Sequence, residues 1–464
     1  MTPAKTIFLY GPPASGKTTL AKALADALHC QAMDLDAAIV AKAGRPISAI
    51  FASEGEEFFR DMESQMLADC IQNAAEKPCV ISLGGGTLLR EANRALCEAA
   101  GTIFCLEAPS EEEICRRLNL APGVRPLGNK ARERAPHYAS FSHRIAASFQ
   151  LPDSLVIVGT DIARSLMQPE RTVFDSTVAA LYPQLSQSAL STIPSGEIHK
   201  TPETILALWH AFAEAGIGRK DTVASCGGGV AGDLTGFAAA TWMRGVPWNN
   251  FPTTLLSMVD ASTGGKTGCD LPEGKNLAGA FHSPRLVVID TDFLKTLPTR
   301  ELHSGRAEMI KHEIIGGLPH NSDVTGIPTA AEIAANLAVK VKIVTEDPRE
   351  TLGRRLLLNC GHTVGHAVET LSHYALSHGE AVAIGCVEEA RHAVRLGLAP
   401  ANWPTELEER FKAAGLPTAL PDGLTFDTLI PQMRGDKKRQ GNTVTFALPC
   451  AWGDVRPVKI DLKG

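Results

Sequence analysis

Two histidines four residues apart stand in Leu358-Asn359-Cys360-Gly361-His362-Thr363-Val364-Gly365-His366. On a helix this spacing projects both imidazoles from one face. His378 follows in His378-Gly379-Glu380, and Glu308 lies upstream in Arg306-Ala307-Glu308-Met309-Ile310-Lys311. Histidines and a carboxylate on helices, with one coordination position left open, can build a catalytic zinc site. A second chemistry sits near the start, in Gly11-Pro12-Pro13-Ala14-Ser15-Gly16-Lys17-Thr18-Thr19. Here Gly11 and Gly16 let backbone N–H groups wrap a polyphosphate, Lys17 neutralises its charge and Thr18 ligates magnesium, with Thr19 alongside.

The elements that must position these groups alternate. Thr6-Ile7-Phe8-Leu9-Tyr10 is a short apolar run suited to a buried parallel strand, and Leu20-Ala21-Lys22-Ala23-Leu24 continues as helix. Cys79-Val80-Ile81-Ser82-Leu83 is a second strand, ending at Gly84-Gly85-Gly86, where a parallel α/β sheet places ligands. Leu155-Val156-Ile157-Val158-Gly159 opens a second series, and Asp221 to Cys226 is a strand running into Gly227-Gly228-Gly229-Val230-Ala231-Gly232-Asp233. Glycines at the start of a helix allow close approach of a pyrophosphate. Beyond Glu301 the pattern turns helical. The expected fold is α/β: a P-loop domain with a parallel sheet over 1–150, an α/β nucleotide-binding part over 151–300 and a mainly helical metal-binding part over 301–464. The second active site is expected in the cleft between the α/β and helical parts.

Composition narrows the class. At 464 residues the chain is about three average domains long. A net charge of −6 argues against nucleic acid, so any cationic pocket must be built locally. Eleven cysteines without a C-x-x-C pair fit reduced thiols in a cytoplasmic protein. No apolar run reaches spanning length, so no membrane partner is expected.

Over residues 1–150 the chain resembles shikimate kinase, through the phosphate loop in its strand–loop–helix setting, Asp34-Leu35-Asp36, Phe59-Arg60, Gly84-Gly85-Gly86 and Val124-Arg125-Pro126-Leu127. The resemblance implies ATP with Mg2+, Asp34 near the magnesium, and Asp36, Arg60, Gly85, Gly86 and Arg134 around shikimate. Arg60 and Arg134 would grip a carboxylate bidentately. Asp36 would orient the attacking hydroxyl, Arg125 would reach the transferring phosphate and Arg117 would border the adenine. The segment after Tyr138 is shorter than the family's usual ending.

Over residues 155–464 the chain resembles 3-dehydroquinate synthase. The carriers are Gly227-Gly228-Gly229-Val230-Ala231-Gly232-Asp233-Leu234-Thr235-Gly236-Phe237, Pro252-Thr253-Thr254-Leu255-Leu256, Gly264-Gly265-Lys266-Thr267, Gly274-Lys275-Asn276 and Gly361-His362-Thr363-Val364-Gly365-His366-Ala367. The resemblance implies Glu308, His362 and His378 as ligands of Zn2+ or Co2+, leaving His366 as an active-site histidine. It places NAD+ on Glu197, Lys200, Gly228, Gly229, Asp233, Thr253, Thr254, Thr296 and Leu297. Upstream, Asp175-Ser176-Thr177 keeps the aspartate of the family's adenosine contact but not its asparagine. The implied substrate, 3-deoxy-D-arabino-heptulosonate 7-phosphate, carries a carboxylate and a phosphate. Lys266, Lys275, Lys311, Lys340 or Lys342, Arg355 and Lys437 or Lys438 would supply the positive charges, with Asn276 and Asn359 as neutral donors and Asp260 orienting groups near the metal. Arg244 corresponds to an arginine that reaches a neighbouring subunit's phosphate, which implies a homodimer.

The implied synthase reaction passes a hydride to NAD+, loses a proton from the acidified neighbouring carbon as phosphate leaves, and takes the hydride back. Ring opening and an aldol closure then give 3-dehydroquinate. The expected protein is thus a bifunctional enzyme of one aromatic-precursor route, acting on small molecules. Three other readings compete: a regulatory nucleotide-binding N-terminal module beside an active synthase, another sugar-phosphate cyclase, and a polyol dehydrogenase. The last has no use for so many cations.

Overall fold

The computed structural model describes residues 6–74, 77–108, 113, 130–320, 323–434 and 443–462. The chain forms two compact units, one of residues 1–150 and 154–167, the other of 151–153 and 168–464.

The first unit runs β1 (Thr6–Tyr10), α1 (Lys17–Ala27), β2 (Gln31–Asp34), α2 (Leu35–Ala43), α3 (Ile47–Ala74), β3 (Cys79–Ser82), α4 (Glu91–Ala100), β4 (Gly101–Leu106), α5 (Lys130–Ala139), β5 (Arg144–Leu151) and β6 (Ser154–Thr160). Its strands lie in the order β2-β3-β1-β4-β5-β6, and β2 through β5 pair in parallel. Every residue of β1 and β3 is buried, as expected of central strands covered on both faces. The sequence pattern puts Leu155–Gly159 at the head of the second module. In the structure this segment lies within β6, beside β5, so the first unit extends past residue 150 to Met167. A short apolar run announces a strand but not the sheet it joins.

The second unit begins with β7 (Thr172–Asp175), β8 (Ser191–Ile193), α6 (Pro202–Glu214), β9 (Val223–Gly227), α7 (Gly229–Thr241), β10 (Trp248–Pro252), β11 (Lys266–Leu271), β12 (Gly274–Phe281) and β13 (Leu286–Asp290). Strands β13-β10-β9-β7-β8 are parallel, while β11 and β12 form a separate antiparallel hairpin. Helices follow: α8 (Thr299–Gly316), α9 (Ala330–Glu346), α10 (His362–Leu371), α11 (His378–Arg395), α12 (Trp403–Ala413) and α13 (Phe426–Arg434). The chain then adds a hairpin to the helical part, β14 (Thr443–Ala451) with β15 (Asp454–Asp461). Val444, Phe446, Leu448 and Cys450 alternate inward from β14 onto the apolar faces of α10, α11 and α13. No described helix is long and apolar enough to cross a membrane.

Helix starts fix the histidines. Ser377 and Glu380 form a reciprocal capping box, with Ser377 N donating to Glu380 Oε2 at 2.7 Å, so α11 begins at His378. Helix α10 begins at His362 because Gly361 turns left-handed at φ 75°. Its free N–H groups are met from another helix, where Glu389 accepts from Gly361 N at 2.8 Å and Val364 N at 3.2 Å. The helix that gives His362 and His366 a common face therefore starts only at His362. Arg354–Asn359 is a 3-10 turn, and Asn359 is not on the histidine helix.

Candidate functional site

In the first unit, the loop between β1 and α1 turns through Gly11 and Gly16, at φ 139° and 94°. Lys17, the first residue of α1, is buried and folds back to donate to Gly11 O at 3.0 Å and Pro12 O at 2.8 Å. Burial holds its ammonium pKa down at about 8, although Asp36 and Asp34 pull it upward. Ser15 Oγ is buried in the same loop without a partner, an orphan donor where an anion would sit. Thr18 Oγ1 donates to Asp34 Oδ2 at 2.6 Å, and Asp34 is itself fixed as the cap of α2. This hydroxyl–carboxylate pair beside a lysine suits Mg2+ on a nucleotide.

Asp36, the second residue of α2, has its carboxyl pKa raised by burial and by the charges of Asp34 and Glu63, against Lys17 and Arg60. The shift favours a group that takes up a proton. Arg60 on α3 donates to Glu63 Oε2 at 2.6 Å, and Glu63 is 1% exposed and also accepts from Thr87 Oγ1 at 2.6 Å. The guanidinium lies flat against Gly86, where a Cβ would fall 2.5 Å from Arg60 Nη2. Gly85 O accepts from Tyr138 Oη at 2.7 Å and from Arg134 Nη1 at 3.5 Å. Asp36, Arg60, Gly85, Gly86 and Arg134 thus line one region. Arg117 and Arg125 lie outside the described residues. Glu63, which the sequence reading does not single out, is betrayed by its place one turn beyond Arg60.

In the second unit, β9 ends in the glycine turn that starts α7. Thr253 N donates to Gly227 O at 2.9 Å, and a Cβ on Gly228 would meet Thr254 Cγ2 at 3.2 Å. The turn is a bare-backbone cradle at the sheet's C-terminal edge, beside a pocket lined by Gly229, Asp233, Ser262 and Lys266. Buried Lys200 reaches Asp233 Oδ2 at 2.7 Å and Asn276 Oδ1 at 2.7 Å. Lys275 lies 3.5 Å from Glu197 and 4.4 Å from the Tyr374 ring centroid. Residues expected on the dinucleotide and on the substrate therefore meet. Thr296 ends the turn Thr291–Thr296, its hydroxyl bonded to Tyr182 Oη at 2.8 Å, with Leu297 next.

The helical part brings Glu308 on α8, His362 on α10 and His378 on α11 together, each offering a ligand atom within 4.8 Å of the others. His378 Nε2 lies 3.3 Å and His362 Nε2 3.6 Å from Glu308 Oε1. Both Glu308 oxygens are buried without a well-directed hydrogen bond, although Lys311 is in ion-pair contact. One carboxylate and two imidazoles aimed at one point suit a divalent ion. The three helices meet backbone to backbone: a Cβ on Gly385 of α11 would fall 2.0 Å from Gly361 O, and one on Gly379 would fall 2.3 Å from Ser304 O of α8.

Around this point charge is dense. Asp260 Oδ1 lies 2.5 Å from Lys340 Nζ, and Oδ2 lies 3.9 Å from Lys311 Nζ. Burial would raise the Asp260 carboxyl, but Lys311 and Lys340 outweigh it and hold it well below the carboxylate range. Lys311, against its burial, is pushed up by Asp260 and Glu308. Lys340 is buried in the cluster, while Lys342 is exposed. Arg355 donates to Gly264 O at 3.1 Å and Pro348 O at 3.0 Å, leaving Nε buried without a partner, as is Asn359 Nδ2. Lys266 is held at 2.5 Å by Glu350, a residue the sequence reading passes over. His366 is exposed on the face of α10 that carries His362, with ring centroids 5.3 Å apart. Arg244 is exposed on the turn Trp242–Arg244, and Lys437 and Lys438 lie outside the described residues.

Comparison with known proteins agrees with this division. Residues 13–160 match the model for shikimate kinase, 190–304 that for the N-terminal part of 3-dehydroquinate synthase, and 305–439 that for its C-terminal part. The 3-dehydroquinate synthase of Symbiobacterium thermophilum is 40% identical over 320 residues, 64% of this chain and 89% of that protein. That of Xylella fastidiosa strain M12 is 44% identical over 322 residues, 66% of this chain and 85% of that protein. A solved structure of 2-epi-5-epi-valiolone synthase from Streptomyces hygroscopicus subsp. jinggangensis 5008, with NAD+ and Zn2+ bound, aligns with a TM-score of 0.58 at 25% identity, covering 68% of this chain and 94% of that one. A 2-deoxy-scyllo-inosose synthase shares the fold, with a TM-score of 0.60 at 23% identity over 68% of this chain and 98% of its own. The chain belongs to the 3-dehydroquinate synthase family, and it is a fusion in which a shikimate kinase domain precedes the synthase.

Proposed function

We propose that the first unit transfers the terminal phosphoryl group of ATP to shikimate, and that the second converts 3-deoxy-D-arabino-heptulosonate 7-phosphate to 3-dehydroquinate and phosphate. The observation that carries the second assignment is the convergence of Glu308, His362 and His378 beside buried Lys311 and Lys340. The valiolone synthase relative holds NAD+ and Zn2+, and the bare glycine cradle and the three-ligand set here suit such a pair. NAD+ supplies reversible hydride acceptance, and the divalent ion, Zn2+ or Co2+, polarises substrate oxygens.

The chain's own residues do the rest. Glu197, Lys200, Gly228, Gly229, Asp233, Thr253, Thr254, Thr296 and Leu297 would hold the dinucleotide. Asp260 sets the directions of Lys311 and Lys340, and the unpartnered donors of Arg355 and Asn359 would bond the substrate. Lys266, Lys275 and Asn276 add charge and hydrogen bonding for a phosphate and a carboxylate, while His366 closes the hydrogen-bonded rim. Arg244 would complete a neighbouring subunit's site in a homodimer, which light scattering of the full chain tests.

Both reactions assayed on the full chain test the assignment. After chelation, added Mg2+ restores the kinase reaction alone, and the synthase waits for Zn2+ or Co2+. Synthase turnover that survives complete metal removal sinks the metal role; an absent kinase reaction with Mg2+ and ATP leaves the first unit as a nucleotide-binding regulator.

Two further outcomes are expected of the kinase unit. Because burial depresses Lys17 to about 8, ATP binding requires the site to be recharged above that pH. Affinity should be flat below about pH 7.5, then fall up to about tenfold per unit, with net proton uptake on binding. Calorimetry in buffers of different ionisation enthalpy at pH 8.5 measures that uptake directly. The second outcome concerns Gly86→Ala, whose methyl group would drive the Arg60 fork off its place. The KM for shikimate should rise about tenfold or more through the lost bidentate grip, with the KM for ATP unchanged.

A further inference from the structure

Helix α10 carries a third polar residue on its histidine face. His362, His366 and Glu369 stand at positions i, i+4 and i+7, so all three project from one side. Glu369 is 7% exposed, and its Oε1 lies 3.4 Å from His378 Nδ1, while the other ring nitrogen of His378 faces Glu308. A ligand atom of His366 also lies within 4.8 Å of those of Glu369 and His378. The imidazole of His378 is therefore held between two carboxylates. One is on α8, at the point where the three ligand atoms converge. The other is on α10, behind the ring.

We infer that Glu369 is a positioning residue for the metal centre. It accepts the Nδ1 hydrogen of His378, fixes the tautomer that leaves Nε2 as the ligand atom, and sets the ring plane toward Glu308. This rests on the proposed metal role of Glu308, His362 and His378. A histidine ligand whose second nitrogen is bound by a carboxylate is held in orientation and is a better donor, and loss of such a partner weakens metal binding about 10- to 100-fold. The same geometry weighs against a second ion on His366, Glu369 and His378, because His378 would have to bridge two ions through both nitrogens.

The experiment uses the full-length enzyme loaded with Co2+ or Zn2+. Metal affinity is measured by chelator competition for wild type, Glu369→Gln and Glu369→Ala, with the visible spectrum of the Co2+ form recorded for each. Expected are one ion per chain in wild type, about 10- to 100-fold weaker binding and an altered Co2+ spectrum in Glu369→Ala, and intermediate affinity in Glu369→Gln, whose amide oxygen still accepts. If Glu369→Ala fails to fold, the near-isosteric glutamine variant decides. Unchanged affinity and spectrum in that folded variant overturn the inference while leaving the metal site standing. Two ions per wild-type chain, with Glu369 variants losing only one, also overturn it. A wild type that binds no divalent ion removes the metal site and the inference together.

Discussion

Replacing His362 with alanine should abolish stoichiometric Zn2+ or Co2+ binding and lower synthase turnover by about 10³-fold or more, while shikimate phosphorylation stays within about twofold. The first number follows from what an ion supplies. Several kcal/mol of charge stabilisation in the transition state, at 1.36 kcal/mol per factor of ten, amounts to about three decades. The neighbouring imidazoles are placed differently: His366 is one turn on and exposed, and His378 already faces Glu308 from its own side. The kinase is spared because its lysine, threonine and carboxylates all belong to the first unit. Elemental analysis and the two assays on one preparation check the result. A His362→Ala enzyme that keeps one tightly held ion per chain would defeat the assignment of this ligand.

The second large effect is expected from Asp260→Asn. The substitution keeps the shape and removes the charge between two ammonium groups that are themselves buried. Breaking a buried ion pair from one side leaves an uncompensated charge, at a cost of roughly 3 kcal/mol. Asp260 is itself about one-fifth exposed (21%), so the lower end of the range applies. For a unit of this size the unfolding midpoint should fall by roughly 5 °C, and turnover by about a hundredfold as Lys311 and Lys340 lose their directions. The sign with pH follows from the depressed carboxyls of Asp260 and Glu308. Their stabilisation is fully present above the ordinary carboxylate range, about pH 4, and is lost as the pH falls through their lowered values. Calorimetry of wild type and variant at neutral pH and at a series of values below about pH 4 should show the gap between them narrowing in acid. A constant gap would assign the loss to packing instead.

Much of this was legible in the residues themselves. The strand–loop–helix around Lys17 carries its own context, because an apolar run, glycines at fixed offsets and a helix start must coincide for the loop to form. Helix faces were equally readable: 362 and 366 share a side of α10 by spacing alone, and Glu369 lay one further turn along. Contacts across long separations were not. That Glu350 would hold Lys266, or that Glu389 would cap α10 from α11, depends on how elements pack, and no local period encodes it. Two boundaries failed for a related reason. Leu155–Gly159 looks like any central strand, and only pairing shows that it sits beside β5. The left-handed turn at Gly361 interrupts an otherwise helical string because the residue after it must start a new helix against α11.

The glycine contacts among α8, α10 and α11 bear on how this centre can change over evolutionary time. Where carbonyl oxygens of one helix rest directly on Cα atoms of the next, nothing compressible separates the rods that bear the ligands. A rotamer elsewhere can adjust to a swapped neighbour, but here even one added methyl would translate a whole rod and its imidazole with it. The spacing between donors is thereby written into main chain rather than side chain. A methyl at Gly379 or Gly385 would therefore shift the donors apart and alter the radius of ion the protein can hold.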